Sequence, residues 1–208
     1  AGIFLQGNGQ LTFSAGTEGQ TITDVIADQT GSGGTGADSG SYQIVVNGPG
    51  TLYLAANNSY SGGTLVNGAT LLAVSDASLG SVSGALTLMG GTFQPLANID
   101  TSRQIVMGGG NNTVIVGTGI ELSAPVSGPG NLTKVGLGLM TLKDSSTFTG
   151  NLFVSQGTVG LAAADFSHIP VITIASSTTL AISAPTVAIA ALSGSGTVNV
   201  GSNTLRIG

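Results

Sequence analysis

The stretch Asn57–Ser81, NNSYSGGTLVNGATLLAVSDASLGS, returns in altered form 88 residues later. Setting Tyr60 on Phe148 places Ser59-Tyr60-Ser61-Gly62 on Thr147-Phe148-Thr149-Gly150 and Leu65-Val66 on Phe153-Val154. Leu52 and Leu54 fall on Met140 and Leu142, and Thr70 on Thr158. What recurs is an aromatic between two hydroxyl residues, a glycine, a short apolar strand, a small-residue turn and a second strand. Self-similarity over tens of residues marks a stack of like units, none able to bury its apolar face alone.

Outward from that stretch the alternation is regular. Neighbours in a strand face opposite sides, so apolar residues two apart mark a buried face. Leu52/Leu54, Leu86/Leu88, Val114/Val116, Ile120/Leu122, Met140/Leu142, Val159/Leu161, Ile172/Ile174, Leu180/Ile182, Val198/Val200 and Leu205/Ile207 are such pairs, and the residues between them are mostly polar or small. Before them, GIFLQGNGQLTFS gives two strands about Gly7-Asn8-Gly9, and Thr21–Ala27 a third. No apolar stripe of helical period and length exists; Leu161–Ile169, ended by Pro170, is expected to make one helical turn at most. The fold class is all-β. Alternation alone fits a sandwich as well as a solenoid, since Asn-Gly at Asn8, Asn47 and Asn67 suits hairpins. Repetition decides for a solenoid. If 88 residues span four coils, each takes roughly 22 and the chain makes roughly nine. Gly48-Pro49-Gly50 and Gly128-Pro129-Gly130 lie only 80 residues apart, so the second copy carries an inserted strand and turn, NLTKVGLG.

Charged residues are 6% of the chain and hydrophobic ones 41%, a balance that excludes disorder. The 35 glycines imply a chain that turns often. Net charge is −5, and the four basic residues, Arg103, Lys134, Lys143 and Arg206, are far apart, which argues against nucleic acid or an anionic membrane as partner. No apolar run is long enough to span a bilayer as a helix. With no cysteine there is no disulfide framework, thiolate metal site or thiol nucleophile. The sequence opens at Ala1 without a basic stretch and apolar core of the signal-peptide kind, so any signal peptide is expected to have been removed or to lie outside this segment, and the sequence reads as a piece of something longer. Residues 1–208 are taken as one β-helix segment of a longer exported protein, with Asp28–Ser41, DQTGSGGTGADSGS, as a mobile loop excursion.

From Gly128 to Ala162 the sequence GPGNLTKVGLGLMTLKDSSTFTGNLFVSQGTVGLA resembles the passenger-associated repeat of bacterial autotransporters. Gly130, Leu132, Lys134, Gly136, Gly138, Leu142, Phe148, Thr149, Gly150, Val154, Gly157 and Thr158 match its pattern; Tyr60-Ser61-Gly62-Gly63-Thr64 is the closer copy of its turn, and Ala77-Ser78-Leu79-Gly80 is similar to its Ala-Leu-Gly segment. Met140 and Asn151-Leu152 depart from it. The resemblance implies a right-handed parallel β-helix, extracellular at the bacterial cell surface, with a C-terminal outer-membrane barrel outside this segment.

No residue set reads as a catalytic, cofactor-binding or metal site. Gly33–Ser41 fits a calcium nonapeptide, but with Gly40 where a large apolar residue belongs and no tandem copy. Asp165, Ser167 and His168 are too close in sequence to converge as a triad. Acid pairs for polysaccharide hydrolysis could come from Asp24 with Asp28, or from Asp144 with an acid one coil away. The sequons at Asn57, Asn111 and Asn131 carry little weight, and Asn57, Asn58, Asn111 and Asn112 are expected in hydrogen-bonded ladders. The expected function is a non-enzymatic passenger or adhesin segment, a stalk that adheres by homotypic self-association or to host or surface ligands. A polysaccharide-acting enzyme on the same scaffold and a fibre or surface-layer repeat are the alternatives.

Overall fold

The computed structural model describes residues 2–208. The expected alternation closes into coils: Leu52, Leu54, Leu86, Leu88, Val116, Met140, Val159, Ile172 and Leu180 are all fully buried, and each such side chain contributes about 1.5–3 kcal/mol relative to exposure. All strand pairs among the described residues run parallel, each strand lying over one from the coil before. Among the described residues, isolated antiparallel bridges occur only at the corners Asn47–Gly68 and Asn67–Gly90. The Asn-Gly steps therefore turn corners and form no hairpins.

One sheet stacks nine strands, from Gln20–Ile22 to Leu192–Gly194. An N-terminal six-stranded sheet runs from Gly9–Ser14 to Val126–Ser127, and a C-terminal six-stranded sheet from Ile99–Thr101 to Thr197–Asn199. Two smaller sheets of two and three strands cover the remaining side at the two ends. Thr204–Ile207, laid on Thr186–Ile189, begins another turn, giving about ten against the nine expected.

The coil is shorter than the expected 22 residues, because the 88-residue offset spans more than four turns. Phe153 lies over Thr133, Thr113, Thr92 and Thr70 in succession, so four coils below Phe153 is Thr70. Its repeat counterpart, Leu65, lies in the neighbouring sheet over Val45 and under Thr87. The repeat thus advances four coils and one further face. Gly48 and Gly128, 80 residues apart, occupy the same corner column at about 20 residues per coil; NLTKVGLG supplies the extra face. Both glycines have φ near +100°, and a Cβ on Gly48 would come within 2.8 Å of the Ala15 carbonyl oxygen. Only glycine suits such a corner.

One local expectation differs from the structure, and another lies within its limit of one helical turn. Thr21–Ala27 breaks into Gln20–Ile22 and Ile26–Asp28, because the coil corners between them. Leu161–Ile169 makes no helical turn: Thr158–Leu161 is strand, Asp165–Phe166 pairs with Ala188–Ile189, and buried Phe166 keeps the segment extended along the coil.

The excursion is tied to the body at both ends. Buried Asp28 accepts from the amides of Gly31 (2.6 Å), Tyr42 (2.9 Å) and Ser61 (2.6 Å) and from the Ser61 hydroxyl (2.9 Å). Burial alone would raise its pKa, but these four donors outweigh it and hold the carboxyl below the ordinary value of 3.8. The Gly7 amide donates to the Gln29 side chain and the Ser41 amide to Asn8. These bonds tie the two ends of the loop to neighbouring coils, while the bonds of Ser32, Gly33, Gly34, Asp38 and Ser39 stay within the loop itself.

Candidate interaction surface

A strand that buries one face must display the other, so the outer columns of the solenoid are the surface a partner meets. On the nine-stranded sheet Thr51, Thr70, Thr92, Thr113 and Thr133 stand in register, followed by Phe153 and then Thr173. The column continues to Ser193, whose hydroxyl is 2.8 Å from that of Thr173. At about 4.8 Å per coil this is a straight row of hydroxyls interrupted by one ring. Amides make a second kind of column. The Asn131 side-chain amide donates to Asn111 at 2.8 Å, and the Asn151 backbone amide donates to Asn131. Asn67 donates likewise to Asn47.

The expected asparagine ladders are partly of this kind and partly internal. Buried Asn58 accepts from the Ile26 amide and donates to the Ser78 carbonyl, bridging three coils. Buried Asn112 accepts from the Gly90 amide and donates to the Asn131 carbonyl. Asn57 accepts from the Ser75 hydroxyl, and Asn111 joins the outer ladder.

Of the four basic residues, two are buried. Buried Arg103 pairs with Asp76 (Nε to Oδ1, 3.1 Å) and donates to the carbonyls of Leu79, Gly80, Ser81 and Gly84, fixing the short turn Asp76–Leu79 and the loop after it. Buried Lys134 donates to the carbonyls of Gly136, Gly138 and Gln156. Burial pushes its pKa down to about 8, while three carbonyl dipoles favour the ammonium. The signal for Lys134 lay in its spacing, two residues after inward-facing Leu132 on the same strand; nothing local marked Arg103. At the surface stand Arg206 and Lys143, the latter paired with Glu121, whose hydrogen bond raises the lysine pKa.

Two of the acids proposed for hydrolysis have local partners. Asp28 is consumed by the excursion, and exposed Asp144 accepts from the Ser145 amide. The register instead sets Asp100 beside Glu121 on the C-terminal six-stranded sheet. They border a shallow groove of about 380 Å³ with Asn98, Thr118, Gly119, Leu139 and Thr141. Glu121 is held by Lys143, and Asp100 accepts from the Ser123 hydroxyl at 3.2 Å. Asp165 accepts from the Ser167 amide at 2.8 Å within its own turn, where Ser167 lowers its pKa and exposed His168 adds to the effect. Gly33–Ser41 contains a short turn, Gly36–Asp38, and contributes no cluster of metal-ligating side chains among the described residues.

The sequence profile of the passenger-associated-transport-repeat family matches residues 44–73 and 132–161, the two stretches that the register places one face apart. The chain is a repeat-bearing passenger segment of the autotransporter type. This passenger segment is also 36% identical over 166 residues to the adhesin BmaC autotransporter of Brucella suis biovar 1 (strain 1330). That alignment covers 76% of the segment but 5% of the Brucella protein. No solved structure matches the passenger segment.

Proposed function

We propose that this passenger segment is a non-enzymatic stalk of an autotransporter adhesin, exposed outside the cell at its surface, which adheres by side-to-side association with like rods. A surface or host ligand is the other partner open to such a stalk, and an outer-membrane barrel beyond the segment anchors it. The observation that carries the reading is the pairing of two passenger repeats with outer columns of in-register hydroxyls and amides. Such a surface carries little charge to repel a like surface, and its many weak hydrogen bonds gain strength by repetition along a rod. Burial of Arg103 and Lys134 leaves too few exposed cations for a polyanionic partner.

The experiment compares sedimentation of cells displaying the protein with and without this segment. Faster settling with the segment present supports the reading, and equal settling overturns the self-association.

A further inference from the structure

The two repeats turn corners that correspond by sequence in different ways. Gly48-Pro49-Gly50 in the first corresponds to Gly136-Leu137-Gly138 in the second. Proline fixes φ and needs no clamp. In the second, Lys134 grips the carbonyls on both sides of Leu137, and Leu137 itself is 84% exposed. An aliphatic side chain is not required to make this corner, and here it is held rigidly out into solvent.

Beside that corner lies the groove. Its floor is Gly119, where the outer column that continues through Leu139 and Thr158 lacks a side chain. Gly138 packs on Thr118 of the groove wall, so knob and groove are adjacent on one edge of the C-terminal six-stranded sheet. From Thr141 at the groove's border that sheet continues through small, uncharged residues, Gly160 and Ala181.

We infer that this face is where two copies of the chain meet, with Leu137 of each seated over Gly119 of the other. A knob and a recess side by side on one surface are what a twofold, self-complementary contact needs. The inference rests on the self-association proposed above and names its face. Six strands at about 4.8 Å and four residues at about 3.3 Å give on the order of 350 Å² per copy. Two copies bury roughly 700 Å², below the ~1,000 Å² of a stable interface. The single contact is therefore weak, and adhesion requires its repetition between parallel arrays of rods. Asp100 and Glu121 against one Lys143 leave each face acidic at its rim, so added salt strengthens the contact.

The test is a mixed disulfide, in a chain that has no cysteine of its own. Leu137→Cys and Gly119→Cys are made in separate copies of the full chain and mixed under a mild copper oxidant. A Cβ at Gly119 meets only the flexible end of Asn98, at 3.1 Å, and Leu139 beyond it, so that variant folds. Mixed dimers are expected to form at least tenfold faster than dimers of either variant alone. Equal rates overturn the face. On displaying cells, Leu137→Ser is expected to slow settling several-fold with an unchanged β-sheet circular dichroism signal, and unchanged settling counts against the face. Where wild-type cells settle fast but mixed dimers show no excess, the face is wrong and self-association stands. Where wild-type cells fail to settle, both fall.

Discussion

Residues 44–73 and 132–161 share a motif, yet the second copy stands one face further round the solenoid, and each stabilises itself by different means. In the first, the Tyr60 hydroxyl lies 2.7 Å from Thr64 Oγ1, both fully buried; burial raises the phenol pKa well above its ordinary value. In the second, the same positions are Phe148 and Leu152, also fully buried. A polar pair and an apolar pair fill one niche. The corners differ likewise: proline in one copy, a lysine clamp in the other. At the next position Ser61 is tied to Asp28, whereas Thr149 donates its amide to Gly128 one coil below. What the repeat keeps is shape, because each coil needs only a filled interior and paired backbone groups.

The lysine clamp gives the largest expected effect. Lys134→Val, which installs the residue found at Val46, leaves three carbonyls without their donor and should cost about 2–4 kcal/mol, read from the midpoint of urea unfolding. Adding Leu137→Pro converts the corner to the first repeat's kind and should recover more than half of the loss. A double variant no more stable than Lys134→Val would show that the corners are not interchangeable.

The polar pair comes next. Thr64→Val strands the buried Tyr60 hydroxyl and should cost about 1–3 kcal/mol. Tyr60→Phe with Thr64→Leu recreates the second repeat's niche and should lie within about 1 kcal/mol of wild type, so a double-mutant cycle shows positive coupling. Strict additivity would contradict the equivalence. In the other direction, Phe148→Tyr puts a hydroxyl against Leu152 and should destabilise by about 1–3 kcal/mol.

The smallest effect depends on pH. Asp28 has a folded pKa below its unfolded value, so its contribution is complete above about pH 4 and is lost as pH falls through the folded pKa. Hydrogen exchange at the Ser61, Tyr42 and Gly31 amides should accelerate in that window beyond the intrinsic rate, while Thr149 follows the intrinsic rate alone. Asp28→Asn should abolish the difference between Ser61 and Thr149.

Much of this was legible in the residues. Pairs such as Leu52/Leu54 and Met140/Leu142 announced the buried face because a strand's period is two, and repetition announced stacking. The number of residues per coil was not, because an offset of 88 fits four coils of 22 as well as four coils of about 20 plus one face. Only the Gly-Pro-Gly spacing of 80 distinguished them, and its eight-residue shortfall is the displaced face. The tether at the foot of the excursion was not legible, because composition reports chain entropy and not individual bonds: one acid, Asp28, gathers four donors from Gly31, Tyr42 and Ser61. Among surface features, Asp100 beside Glu121 and the Gly136-Leu137-Gly138 corner beside the groove depend on register between coils, which strands without cross-coil markers do not reveal.

The displaced face is tested most directly by pulsed dipolar distances between spin labels at the outward positions 65, 70 and 153. The pair 70/153 lies in one column, four strand spacings apart, and should read about 19 Å plus label length. The pair 65/153, equivalent by sequence, should be clearly longer because its members point from different sheets. A 65/153 distance equal to four strand spacings, with 70/153 the longer, would contradict a repeat that advances by four coils and one face.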